Sequence, residues 1–151
     1  VDEKLNMIKG GGAALTREKV VDTSAKKLLI VIDEHKLVKR LGEQHAVPVE
    51  VLPYANQAVM KKILRIGGRP MLREGKGKVG PIITDNGNFI IDIDFGPIDD
   101  PSRVDKQLKS IPGIIETGIF IDMADTAYVA QKEGSVRIIH RSHHPYNRKV
   151  R

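Results

Sequence analysis

The 151 residues are 40% hydrophobic and 29% charged, the balance of a globular chain that folds in water. With no Cys, disulfides, zinc–thiolate sites and thiol nucleophiles are excluded, and no stretch approaches the ~20 apolar residues of a membrane span. Twenty-five Lys and Arg against 19 Asp and Glu leave a formal charge of +6, which suits an anionic partner, nucleic acid or small molecule. Aromatic residues are only 4% and Trp is absent, so a base-stacking surface is poorly supplied and no nucleic acid is expected.

The residues before Gly10 lack the apolar stretch of a secretory signal, and the cytoplasm is the expected compartment. Residues 5–8 lean apolar and run into Lys9-Gly10-Gly11-Gly12. Consecutive glycines mark a tight turn or a close approach to a ligand. Residues 13–24 read as a helix opened by good helix formers. The run Leu28-Leu29-Ile30-Val31-Ile32 predicts a strand buried on both faces, hence a parallel sheet. Asp33-Glu34-His35-Lys36 follows at its carboxyl end, where open α/β sheets bind ligands.

Residues 47–52 alternate around Pro48, which suits an edge strand. Ala55, Val59, Ile63 and Ile66 make one helical stripe that stops at Gly67-Gly68. Residues 69–73 form a short strand, and 74–80 a glycine- and lysine-rich loop. Residues 82–84 and 89–95 read as a hairpin turned by Asn86-Gly87. Asp99 or Asp100 caps a helix begun at Pro101 and striped by Val104, Leu108 and Ile111. Residues 114–121 are a further strand, and 127–130 with 136–139 close the chain as a terminal hairpin. From 141 onward the basic tail reads as disordered or loosely attached.

The order over 47–121 is β-α-β-β-α-β, a ferredoxin-like unit complete in itself. The remainder is not complete. One parallel strand, one helix and a terminal pair cannot cover both faces of a doubly wound sheet, so further strands are expected before Val1.

Several residues suit an anionic substrate, each with a plainer reading beside it. Glycine-freed amides at a helix start can hold an anion or enolate, or simply turn the chain. Glu18, in the first turns of the helix, could act as a general base or be a solvated surface residue. Lys36 could anchor a phosphate as a point charge, or be an exposed loop lysine, and His35 is a surface residue or a proton carrier. The five histidines make no metal signature. Paired acids at Asp92 and Asp94, and at Asp99 and Asp100, are explained by strand face and helix cap.

The block Met7-Ile8-Lys9-Gly10-Gly11-Gly12-Ala13-Ala14-Leu15-Thr16-Arg17-Glu18-Lys19 closely resembles the signature of the type A ribose-5-phosphate isomerases. The similarity continues at residues 32–36, 47–51, 84–88, 111–113 and 124–125, in one order over about residues 1–140. Residues 75–80 and the Ile32–Lys36 wording look more like archaeal members. The resemblance implies an α/β fold: a Rossmann-like parallel-sheet domain (1–46 and 122–140, incomplete here) with an inserted ferredoxin-like α+β domain (47–121). It implies interconversion of D-ribose 5-phosphate and D-ribulose 5-phosphate through an enediolate, with no metal and no cofactor, in a homo-oligomer (dimer or tetramer). It assigns Glu18 as base, Lys9, Gly10, Gly11 and Gly12 as the substrate-binding segment, and Lys36 as a substrate-binding lysine. The family's Gly-Thr-Gly-Ser-Thr-type phosphate loop and Asp-Gly-Ala-Asp-Glu-type motif have no counterpart after Val1. The alternative is a basic ferredoxin-like binding or assembly module without catalysis.

Overall fold

A computed structural model describes residues 1–75, 77 and 79–141. The elements in chain order are β1 (Met7–Ile8), α1 (Leu15–Ser24), β2 (Leu29–Asp33), β3 (Val47–Val51), α2 (Asn56–Arg65), β4 (Arg69–Leu72), β5 (Phe89–Asp94), α3 (Pro101–Lys109), β6 (Ile114–Thr117), β7 (Ile119–Phe120), β8 (Thr126–Ala130) and β9 (Val136–His140). A short 3-10 turn at Glu34–Lys36 ends β2, and another at Pro53–Ala55 leads from β3 into α2. The chain is an α/β fold, and the described residues form three sheets: β4-β5-β3-β6, β2-β8-β9 and the pair β1-β7. No helix among the described residues is long and apolar enough to cross a membrane.

The four-stranded sheet is antiparallel throughout. Alternation aims Val47, Val49, Val51, Ile91 and Ile93 to one face, where Val59 and Ile63 of α2 and Leu108 of α3 close the core. The other face carries charge. Glu50 is opposite Ile90 on β5 and Glu116 on β6, and Asp92 is opposite Pro48. Helix α1 packs over this second face.

β3 is central, not an edge strand, and all five of its residues are buried. Pro48 is tolerated because a residue's N–H and C=O point the same way in a strand. Its carbonyl faces the β6 side and accepts from Gly118 N at 2.7 Å, so the missing N–H removes nothing from the β5 ladder. Residues 82–84 are not a hairpin strand. β5 pairs instead with β4, and only the Ile83–Phe89 bridge survives beside a turn closed by Thr84 N to Asn88 O. Residues 114–121 break at Gly118, after which β7 leaves β6's sheet to pair with β1.

β2 runs parallel to β8, as its composition predicts, yet it is not buried on both faces. Ile32 is buried against Leu5, Met7 and Phe120, while Val31 is 78% exposed. Leu29 and Val31 share a face on which no described element packs, so only the face of Ile32 meets the core. The terminal hairpin forms as β8 and β9, turned at Gly134. Asp100 caps α3 by accepting from Arg103 N at 2.9 Å. Arg141 is tied down, its N–H donating to Asp125 O at 3.1 Å and its guanidinium to Asp122 O. The remainder of the basic tail, 142–151, lies outside the described residues.

Candidate active site

The glycine segment is held from three sides. Lys9 N donates to Gly118 O at 2.9 Å. A Cβ on Gly118 would press into the Lys9 carbonyl oxygen and the Pro48 ring, so glycine is required for β1 to approach. Gly10 has φ +108°, and a Cβ there would stand 2.8 Å from Leu15 Cβ and 3.0 Å from Pro48 Cγ. Arg73, just past β4, donates from Nη1 to Gly10 O at 2.9 Å and to Gly11 O at 3.0 Å. Ala13 completes the turn with φ 63° and an N–H to Gly10 O at 3.0 Å. The helix therefore begins at Leu15, two residues later than its composition suggests.

α1 has no apolar stripe. Its buried residues are Leu15, Lys19 and Asp22, a polar face at helical spacing. Lys9 reaches across this face. Its Nζ is 2.7 Å from Asp22, 3.9 Å from Glu18 Oε2 and 4.9 Å from the centroid of the Phe120 ring. Glu18 Oε2 is shielded, yet accepts no hydrogen bond among the described residues. Lys19 also lies over the Phe120 ring, 4.7 Å from its centroid. It donates to Glu116 Oε1 at 2.8 Å, Thr117 O at 2.6 Å and Ile119 O at 2.9 Å. Burial lowers the Lys19 pKa, opposed by the hydrogen bond to Glu116. Burial alone would raise Glu116, but the Lys19 hydrogen bond and the Thr117 N–H hold it below the usual carboxylate range.

Glu50 locks the start of α1 onto the sheet. Fully buried, it accepts from Thr16 Oγ1, from Thr84 Oγ1 at 2.7 Å, and from Asn86 and Asn88 Nδ2 at 3.0 and 2.9 Å. Burial pushes its carboxyl up, and these donors together outweigh burial and hold it below its ordinary value. Arg17 fastens the same loop from outside, through Asp85 and Asn86.

The structure thus brings together Lys9, Gly10, Gly11, Gly12 and Glu18. Among the described residues Lys36 makes no ion pair with this cluster; it is largely exposed in the 3-10 turn after β2, 3.8 Å from Asp33. Its carbonyl accepts from the Val1 ammonium at 2.7 Å. His35 beside it is exposed.

The model of ribose 5-phosphate isomerase A (phosphoriboisomerase A) matches residues 1–134. The chain belongs to the ribose 5-phosphate isomerase A family. It is 50% identical over 141 residues to a ribose-5-phosphate isomerase A of Methanosarcina acetivorans, covering 93% of this chain and 59% of that protein. It is 53% identical over 135 residues to one of Trichormus variabilis, covering 89% and 57%. A solved structure of D-ribose-5-phosphate isomerase in complex with phospho-erythronic acid superposes with TM-score 0.90 at 47% identity, over 93% of this chain and 61% of that one. The chain therefore spans about three-fifths of the length of the relatives it matches.

Within this isomerase-family site the sequence reading overlooked Asp22, Lys19, Glu50 and Arg73. Asp22 had a findable signal, since it lies four residues after Glu18 and so shares its helix face. The others had none locally, because each has its partners in a distant part of the chain.

Proposed function

We propose that this chain carries the proton-transferring part of an enzyme that interconverts D-ribose 5-phosphate and D-ribulose 5-phosphate. The observation that carries the reading is the shielded, unbonded Glu18 Oε2 beside the Lys9 ammonium and the glycine turn. An aldose–ketose shift needs a base that breaks the C2–H bond while the C1 carbonyl oxygen becomes an alkoxide. Glu18 is free to take that proton and return it to C1, after the hydroxyl proton has moved from O2 to O1. Lys9, held by Asp22, and the Gly11 and Gly12 amides supply positive charge for the oxygens of the enediolate. Lys36 is assigned to the phosphate. One relative is solved with phospho-erythronic acid, an anion of the same class.

The same reading assigns 1–46 and 122–140 to a Rossmann-like domain and 47–121 to a ferredoxin-like insert. The parallel β2–β8 pair supports the first, and the order β4-β5-β3-β6 with two helices on one face supports the second. The non-catalytic alternative finds no support in the relatives described above, each of which is named as an isomerase.

The test is isomerisation of ribose 5-phosphate in D₂O. Where the proton held by Glu18 exchanges with solvent before it is returned, deuterium appears at C1 of the ribulose 5-phosphate formed. No deuterium at C1 together with undiminished turnover in Glu18→Gln would remove the base from the mechanism. Lys36→Ala is expected to raise KM for ribose 5-phosphate while changing an unphosphorylated pentose little, because a phosphate anchor contributes nothing to the latter. Equal losses on both sugars would assign Lys36 to structure or to the reacting end.

A further inference from the structure

The Arg73 side chain is only 16% exposed, although it lies just past a strand end. Its backbone is already fixed, with N donating to Ile90 O at 2.9 Å and O accepting from Ile82 N at 2.8 Å. The guanidinium is divided between two tasks. Nε donates to Asp92 Oδ2 at 2.7 Å, and Nη2 to Asp92 Oδ1. Nη1 donates to the carbonyls of Gly10 and Gly11. Asp92 thus holds the planar fork in one orientation, and the fork draws two successive peptide carbonyls toward itself.

A trans peptide is planar, so the N–H of each unit points opposite to its C=O. With the Gly10 and Gly11 carbonyls turned to Arg73, the N–H groups of Gly11 and Gly12 point away from it. Both glycines are exposed. Among the described residues neither amide has a hydrogen-bond acceptor. Glycine peptides flip easily. The Gly10 carbonyl is also held by Ala13 N at 3.0 Å, whereas among the described residues the Gly11 carbonyl, whose plane carries the Gly12 N–H, has Arg73 as its only partner.

We infer that Arg73 is a positioning residue, which aims the Gly11 and Gly12 amides at the oxygens of a sugar phosphate or its enediolate. The inference rests on the proposed function above and adds the part that orients its oxygen-binding groups. Lysine cannot replace it. Three donors on one ammonium cannot grip both Asp92 oxygens and span two carbonyls.

The experiment tracks the Gly11 and Gly12 amide resonances of the ¹⁵N-labelled chain during titration with ribose 5-phosphate. Arg73→Lys and Asp92→Asn are titrated alongside. In the unmodified chain both resonances are expected to move and saturate. In Arg73→Lys, Kd is expected to rise about tenfold and both displacements to shrink, in line with loss of a charge-assisted hydrogen bond. The Ile90–Ile93 amides of β5, unchanged before ligand is added, show that the fold is kept. Asp92→Asn leaves Arg73 in place but weakens the fork, so a smaller rise in Kd is expected. It decides the matter if Arg73→Lys fails to fold. Gly11 and Gly12 responding equally, with equal Kd, in all three proteins would overturn the role of Arg73 and leave the proposed function standing. No response of either glycine in the unmodified chain would instead overturn the sugar-phosphate reading of the loop, and the inference with it.

Discussion

Replacing Glu18 by Gln is expected to lower isomerisation by about 10²–10⁴-fold, the range of a lost general base, with ribose 5-phosphate still bound. Gln keeps the length and shape of the side chain and removes only its capacity to accept a proton from carbon. The surroundings should stay in place, because Lys9 is held chiefly by Asp22 at 2.7 Å and only loosely by Glu18 at 3.9 Å. Helix α1 is likewise anchored by Lys19 and Thr16, not by Glu18. Measuring kcat beside the Kd for ribose 5-phosphate separates the two effects. A loss confined to Kd would make Glu18 a binding group, and near-normal turnover would exclude it as the base.

Glu50→Ala is expected to lower stability by about 1–3 kcal/mol at neutral pH, the cost of buried donors left without an acceptor. The change opens a cavity under α1 and strands the buried donors of Thr84 and Asn88, while Thr16 and the exposed Asn86 can turn to water. Urea unfolding of both proteins measures it. The pH dependence has a definite sign. The folded carboxyl titrates below its ordinary value of 4.5, so between the two values the unfolded chain binds more protons than the folded one. The contribution of ionised Glu50 is complete above 4.5 and is lost as pH falls through the folded value. The gap in stability between the original chain and Glu50→Ala should therefore narrow on acidification. A gap that stays constant, or widens, would show that the carboxylate is not what the network stabilises.

Features governed by near neighbours in the chain were open to sequence reasoning. The stripe of Val59 and Ile63 in α2, the alternation of Ile91 and Ile93 in β5, the Asp100 cap and the glycine turn before α1 each depend on residues a few positions apart. That Glu18 lies near the glycines was legible for the same reason, since it stands in the first turns of the helix that follows them. The resemblance to a family supplied the chemistry that this geometry alone left open.

Which polar residues are buried, and against what, was settled only by long-range packing. Lys19 lies on a helix with no apolar stripe and would read as solvated. Glu50 alternates with valines on β3 and would read as facing water. Pro48 suggested an edge only because its chain position does not reveal that its carbonyl, and hence its missing N–H, faces Gly118. The partners are remote: Lys19 meets Glu116 at a separation of 97 residues, Arg73 meets Gly10 at 63, and Thr16 meets Glu50 at 34. A charge can be buried only where donors or acceptors replace its water. Here those groups arrive when α1 and the glycine turn settle on the polar face of the four-stranded sheet. Local patterning was enough to set most of the elements and the residues at the turn, and the docking of that face fixed which charges are held around them.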